Sequence, residues 1–341
     1  MQKTKKNNYT NENSNNKSKS KSKIKSKSSN ITKTLYNSKL SVGCHASIAN
    51  GILESIKYVE SIGGNALQIF MGSKLQSSLK YKHKFKDQNE INTIREYIAR
   101  NKIAFIIHSI YTINLCKFPY TSGRIKYAHD NILYDLKYGQ MLGAKCVVLH
   151  IGSKNKELSI EEALNNLVGN INHIMSKMPK GIMLSLETAA GSGNQLGWNL
   201  EELAKIWNMI IKKNNRIKVS NALGICIDTA HIFVSGYDIS TEKGIKDYLD
   251  KFDSLIGIKH ISNFHINDSK YKLGSKVDEH RGIGQGTIYN TEDGQKALKY
   301  IKNFCIKNKI SMILETHSAG SSNSHKGTHG YEYEINLIKN L

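Results

Sequence analysis

Eight short apolar runs, each followed by a longer polar–apolar stretch, limit what this chain can fold into. The runs are SVGCHAS (41–47), ALQIF (66–70), IAFIIHS (103–109), CVVLHIG (146–152), IMLSLET (182–188), LGICIDTAH (223–231), ISNFHIND (261–268) and ISMILETH (310–317). Near-continuous apolar runs of this length fit strands buried on both faces. The stretches between them have helical spacing. Leu164, Leu167, Val168, Ile171, Ile174, Met175 and Met178 advance by three and one, the stripe of an amphipathic helix. NEINTIREYIARN (89–101), EELAKIWNMIIKK (201–213) and QKALKYIKNFCIK (295–307) supply further helices. Strands alternating with helices predict a parallel sheet, and eight such units over about 300 residues predict a closed (β/α)8 TIM barrel. The alternative is an open doubly wound sheet. No GxGxxG follows the first run, which weighs against it.

The beat starts at Leu40. Residues 1–38 are mostly Lys, Ser and Asn, including KSKSKSKIKSKS from Lys17, with ten lysines against the single acid Glu12. Such a segment buries too little to offset chain entropy. It is expected to be a disordered basic extension on an α/β barrel domain spanning 39–341. The formal charge of +21 points to a polyanionic partner, with abundant Lys, Asn and Ile as a compositional alternative. The five cysteines (44, 116, 146, 226, 305) are scattered and form no CxxC pair. They predict free thiols in a reducing, intracellular compartment and no cysteine zinc site. No run approaches the roughly 18 apolar residues of a membrane span, and no apolar secretory segment opens the chain.

Chemistry in such a barrel sits at the C-terminal ends of the strands. Those ends carry His108, His150, Glu187, Asp228, His231, His265 and Glu315, with Asp278 and His280 in the loop after the seventh strand. Each alone reads more readily as a capping or hydrogen-bonded residue. Together they put five imidazoles and four carboxylates at one mouth. Unpaired acids there would raise one another's pKa unless cations lay between them. A mixed imidazole–carboxylate set suits zinc, with manganese less favoured. Three zinc ions would bring six positive charges against four negative ones, leaving a surplus for a hydroxide and an anionic substrate such as a phosphodiester.

The stretches GCHAS, IHSIYTINL, LHIGS, SLETAAGSGNQLG, CIDTAHIFVSGYD, FHINDSKYKLGSKVDEHRGIGQG and ILET resemble the endonuclease IV family, in the family's order from about Leu40 onward. The resemblance implies a zinc-dependent nuclease that acts as a monomer on duplex DNA. It would cut 5′ to abasic sites, leaving a 3′-hydroxyl and a 5′-deoxyribose phosphate, and would also clean blocked 3′ ends. It implies one zinc held by His108, His150 and Glu187, and a second sharing Glu187 and adding Asp228, His265 and Glu315. A third would take His231, Asp278 and His280. Glu187 and Glu315 would be the catalytic acids, Glu315 also orienting the attacking water. The glycines at 282, 284 and 286 would let the backbone turn tightly beside the metals and the DNA.

DNA contacts are expected from Tyr111, Thr112, Lys74 and Leu75, with Lys80, Lys82, Lys84 and Lys86 as phosphate grips. Thr112 and Leu75 depart from the family, which has an apolar residue and an arginine there. His45 matches a family histidine outside the ligand set, and His317 departs from the family. Two other readings compete. Glu187, Asp228, His265 and Glu315 resemble the single-metal site of sugar isomerases and epimerases on related barrels. A non-catalytic protein that marks DNA damage is the other.

Overall fold

The computed structural model describes residues 40–214, 222–316 and 330–341. The expected basic extension and His317 lie outside these residues. Eight strands close into a parallel barrel: β1 (Ser41–His45), β2 (Ala66–Phe70), β3 (Ala104–His108), β4 (Cys146–His150), β5 (Met183–Glu187), β6 (Leu223–Asp228), β7 (Ile261–His265) and β10 (Ser311–Leu314). The open-sheet alternative is excluded by the pairing of β1 with both β2 and β10. A two-residue antiparallel ribbon, β8 (Asp268–Ser269) with β9 (His280–Arg281), rises after β7.

Around the barrel run α1 (Ile52–Ser61), α2 (Gln88–Asn101), α3 (Lys126–Leu142), α4 (Ile160–Lys177), α5 (Leu200–Lys213), the short α6 (Thr229–Val234), α7 (Glu242–Leu255), α8 (Glu292–Asn308) and α9 (Gly330–Asn340). Their starts are written locally. Ser159 and Glu162 form a reciprocal capping box on α4, and Asp87, Asn199, Thr241 and Thr291 each accept from a backbone N–H of the helix they precede, satisfying donors that the helix itself leaves unpaired. Helical stripes such as Leu164, Leu167, Val168, Ile171 and Ile174 are buried against the barrel. All five cysteines are buried free thiols. No helix among the described residues is long and apolar enough to cross a membrane.

Register brings the strand ends to one level. His150 lies beside Glu187 and Asp228 beside His265. One expectation changes here: His231 does not end a strand. Asp228 closes β6 and caps α6, its Oδ1 accepting from the His231 N–H at 3.0 Å. A β-run therefore stops at Asp228 because the acid's own side chain starts a helix, and His231 sits in that helix's first turn.

The segment between β2 and α2 also departs from expectation. Lys82 is not free to grip phosphate. It is buried, and its Nζ lies 2.6 Å from Oδ1 of the fully buried Asp135 on α3. Neighbouring residues of α3 hold the same segment: Asn131 Nδ2 donates to the Ser77 carbonyl at 2.7 Å, and the Tyr134 hydroxyl donates to the His83 carbonyl. Removing one member of a buried pair strands the other charge. Lys82→Met is therefore expected to destabilise the protein by about 3–5 kcal/mol, whereas Lys80→Met at the exposed neighbour should change stability by less than about 0.5 kcal/mol. Urea unfolding of the two variants checks this, and equal midpoints would contradict it.

Candidate metal centre

Nine side chains meet at the C-terminal mouth of the barrel. Around Glu187, the Nε2 atoms of His108 and His150 lie 3.2 and 3.1 Å from Oε2, and His265 Nδ1 lies 3.0 Å from Oε1. His265 Nδ1 is also 3.0 Å from Glu315 Oε2 and 3.8 Å from Asp228 Oδ2. Beyond Asp228, His231 Nε2 and His280 Nε2 lie 2.9 and 3.1 Å from the two oxygens of Asp278. Ligand-type atoms gather into three groups, each within 4.8 Å: His108, His150 and Glu187; Glu187, Asp228, His265 and Glu315; Asp228, His231 and His280. The first two are the sets expected from the sequence. The third has Asp228 where Asp278 was expected, although Asp278 touches both of its histidines. Asp228 Oδ2 lies 3.7 Å from His280 Nε2, so this acid stands between the second and third groups as Glu187 stands between the first and second.

Neighbours fix which nitrogen each ring offers. His108 Nδ1 is 2.7 Å from the Ser109 carbonyl and His231 Nδ1 is 2.7 Å from the Thr188 carbonyl. A carbonyl can only accept, so both rings carry the proton on Nδ1 and turn Nε2 to the centre. His265 is reversed. Its Nε2 donates to Gln68 Oε1 at 2.9 Å, leaving Nδ1 for the centre, while Gln68 Nε2 donates to Glu315 Oε1 at 2.7 Å. Such outer contacts are what orient metal ligands.

Among the described residues, no lysine or arginine pairs with the cluster's acids. Every ion pair made there by Glu187, Asp228, Asp278 and Glu315 is to a histidine. Burial resists charge on Glu187, yet His150 and His265 hold its carboxyl well below the usual range. Burial likewise opposes charge on His231, but Asp228, Asp278 and Glu187 lift it well above its ordinary value. His231 thus keeps a proton that a divalent cation at the same nitrogen would displace. This mixed set of imidazole and carboxylate donors, gathered within 4.8 Å in each group, fits zinc coordination.

Sequence reasoning missed several residues. Gln68 is the polar interruption in ALQIF, and that interruption was its signal. Asn267 donates to Asp228 Oδ2 at 2.7 Å and accepts from the Glu315 N–H at 3.0 Å; it lies in HIND, between His265 and Asp268. His45, expected outside the ligand set, is 3.6 Å from Glu315 Oε1 and 3.1 Å from Gln68 Nε2, and burial lowers its pKa. The glycines of RGIGQG turn the backbone tightly as expected, the Gln285 N–H donating to the Gly282 carbonyl at 2.9 Å with Gly284 at φ 79°. They also wrap a carboxylate: Asp268 accepts from the N–H groups of Ser269, Gly284, Gly286 and Ile288 at 2.8–3.1 Å. A Cβ on Gly286 would lie 2.3 Å from Asp268 Oδ1.

On the rim, Tyr111 is 43% exposed and packs at 5.6 and 5.4 Å between ring centroids from His108 and His150. Leu75 is 60% exposed, and the neighbouring Lys74 carbonyl accepts from the Tyr111 N–H at 3.0 Å. A cavity of about 410 Å³ opens beside His150 and His231, lined also by Tyr111, Thr112, Asn114 and Lys117.

Residues 56–341 match the family described as the xylose isomerase-like TIM barrel, which sets the class of the protein. Within that class the relatives are specific. The chain is 32% identical over 304 residues to a putative endonuclease 4 of Acanthamoeba polyphaga mimivirus, covering 87% of this chain and 92% of the relative. It is 32% identical over 278 residues to a probable endonuclease 4 of Halothermothrix orenii, covering 81% and 93%. The chain belongs to the endonuclease IV family. The fold agrees with the crystal structure of endonuclease IV from Thermus thermophilus, with a TM-score of 0.66, 24% identity and coverage of 88% and 98%. A D-tagatose 3-epimerase-like protein shares the fold at a TM-score of 0.58 and 20% identity, with coverage of 80% and 90%.

A pH dependence follows from His280. Burial opposes its charge, but Asp228 and Asp278 outweigh that and raise its pKa to about 9, from 6.5. The stability this lends to metal-free protein is complete below pH 6.5 and is lost as pH rises to about 9. Chelator-treated protein is therefore expected to lose at least about 2 °C of melting temperature across that window, and zinc-loaded protein should lose less. Calorimetry at several pH values checks this; a melting point that climbs with pH in the chelated sample would contradict it.

Proposed function

We propose that this protein is a zinc-dependent repair nuclease that hydrolyses the phosphodiester 5′ to abasic sites in duplex DNA, leaving a 3′-hydroxyl and a 5′-deoxyribose phosphate. The observation that carries the reading is the convergence of eight donor side chains into three adjoining groups, with a ninth, Asp278, against both histidines of the third, in a chain of the endonuclease IV family. His108, His150 and Glu187 would hold one ion. Glu187, Asp228, His265 and Glu315 would hold a second, and His231, Asp278 and His280, beside Asp228, a third. When bound, the ions supply Lewis acidity and a water acidic enough to ionise near neutral pH. Glu187 spaces the first two groups, and Glu315, fixed by Gln68, faces the mouth where it can orient the attacking water.

Damage selection would fall to the rim. An abasic nucleotide has no base to unstack, so extruding it is cheap. Tyr111 and Leu75 are both exposed, and the Tyr111 N–H donates to the carbonyl of Lys74, the residue before Leu75. Leu75 would serve as an apolar wedge where the family carries an arginine, with Thr112 beside it and Lys74 on phosphate. The same centre would remove blocking groups from 3′ ends, and the chain would act as a monomer.

One observation supports a second reading: the four-residue group of Glu187, Asp228, His265 and Glu315 is enough for a single-metal epimerase. It leaves His108, His150, His231, Asp278 and His280 without work, and metal analysis separates the two at one ion or three per chain.

The direct test is cleavage of a duplex with one abasic site, with and without chelator. His231→Ala is expected to lower kcat by at least about 100-fold while DNA affinity stays within about threefold. Cleavage at an undiminished rate after full metal removal would sink the proposal. Separately, Tyr111→Ala is expected to reduce kcat/KM on abasic duplex by about tenfold, the scale of one lost aromatic contact, with binding of undamaged duplex unchanged. Equal loss on both duplexes would assign Tyr111 to general packing.

A further inference from the structure

We propose that Glu334, on the C-terminal helix, is a positioning residue of the metal centre: its carboxylate ties the loop that follows His280 to the residue that follows Glu315. The inference rests on the three-ion reading above.

Glu334 is 2% exposed. Its Oε1 accepts from the Ile283 N–H at 3.0 Å, and its Oε2 accepts from the Thr316 hydroxyl at 2.5 Å. Thr316 directly follows Glu315, and Ile283 lies three residues beyond His280. One side chain therefore spans two segments that carry ligands. No Lys or Arg among the described residues pairs with it. Burial lifts its pKa to about 7, against the pull of its bonds to Thr316 and Ile283 and with Asp268 adding to the rise. A carboxyl buried without a cation is costly. The apolar side chains at 331, 335 and 338 already bury the inner face of α9, so packing does not call for an acid at 334. Its two bonds across to other segments do.

The loop is shaped to receive it. A Cβ on Gly282 would lie 2.6 Å from Glu334 Oε1 and 2.6 Å from Gln285 Oε1. The backbone of Gly282 is not in the left-handed region, so the glycine answers to the approach of the Glu334 carboxylate and the Gln285 amide and not to chain strain. From the opposite side Asp268 holds Gly284, Gly286 and Ile288. The loop is clasped between two buried carboxylates, one preceding it in the chain and one from α9. Asp278 and His280 lie immediately before this loop in the chain. Losing the α9 side of the clasp should loosen the third group first and leave the strand-borne groups in place.

The experiment measures zinc per chain by elemental analysis, together with kcat and KM on abasic duplex, for the full chain and three variants. Wild type should hold three ions. Glu334→Ala and Gly282→Ala should hold two, with kcat lowered about 10–100-fold and KM within about twofold. Glu334→Gln should keep three ions and near-wild-type kcat, because its amide oxygen still accepts from Ile283 and the Thr316 hydroxyl can turn to accept from its NH2. Three ions and wild-type kcat in both alanine variants would overturn the proposal. So would a Glu334→Ala protein whose chelated form melts lower but which keeps its third ion, since that marks a purely structural role. If Glu334→Ala does not fold, Gly282→Ala decides by the same two readouts. A wild-type count below three refutes the three-ion reading instead, and each variant is then judged against that count.

Discussion

Four carboxylates crowded into one barrel mouth cannot all be ionised unless positive charge lies between them. The rest of the centre follows from this. Glu187 and Asp228 are almost wholly buried, and among the described residues their ion-pair partners are imidazoles, with no lysine or arginine. Protonated imidazole can balance them, but an imidazole beside a carboxylate yields its proton readily to a divalent cation at the same nitrogen. The geometry favours that exchange, because Glu187 and Asp228 each lie between two groups and can be shared. A site built only for stability would be better served by apolar side chains of similar volume.

Orientation comes from outside the ligand set. Two rings are set by main-chain carbonyls, of Ser109 and Thr188, and a third by the side-chain amide of Gln68. Main-chain acceptors at strand ends move little, so the Nε2 atoms of His108 and His231 are fixed by the barrel itself. His265 needs the opposite tautomer. Its Nδ1 faces the centre from β7, and the far nitrogen points into the barrel interior, where only a side chain can reach. A glutamine in the middle of a buried strand is therefore explained by the ring it serves.

The barrel was legible because burial on two faces writes itself as apolar runs, and the ligands were legible because they interrupt those runs at their ends. Lys82 was misread for a physical reason. A lysine in a basic loop looks solvated, and only the fold brings Asp135, on α3, beneath it. His231 reads as part of a strand because the apolar run LGICI leads straight into DTAH. The switch to a helix depends on a side-chain cap at Asp228 that apolar spacing does not register. Gln68 stood out within its run, but its purpose needed the partner from β7. Asp268 and Glu334 left no trace as a pair, because they are distant in sequence and meet only across the glycine loop.

The likeness to epimerases shows where specificity of chemistry resides. Those proteins share the barrel at identities that speak for the fold alone, and the group of Glu187, Asp228, His265 and Glu315 is one that a single-metal enzyme can use. On the three-ion reading, the remaining five donors come from two kinds of place. His108 and His150 close β3 and β4, positions that any such barrel possesses and can fill with other residues. His231, Asp278 and His280 come from a short helix and a loop inserted around β7, which no barrel requires. The first addition is a change of side chains on an existing scaffold. The second is a structure of its own, held by Asp228 as a cap, by Asp268 beneath its glycines and by a helix at the end of the chain. The centre is thus an inner site that belongs to the barrel and an outer one that had to be built onto it.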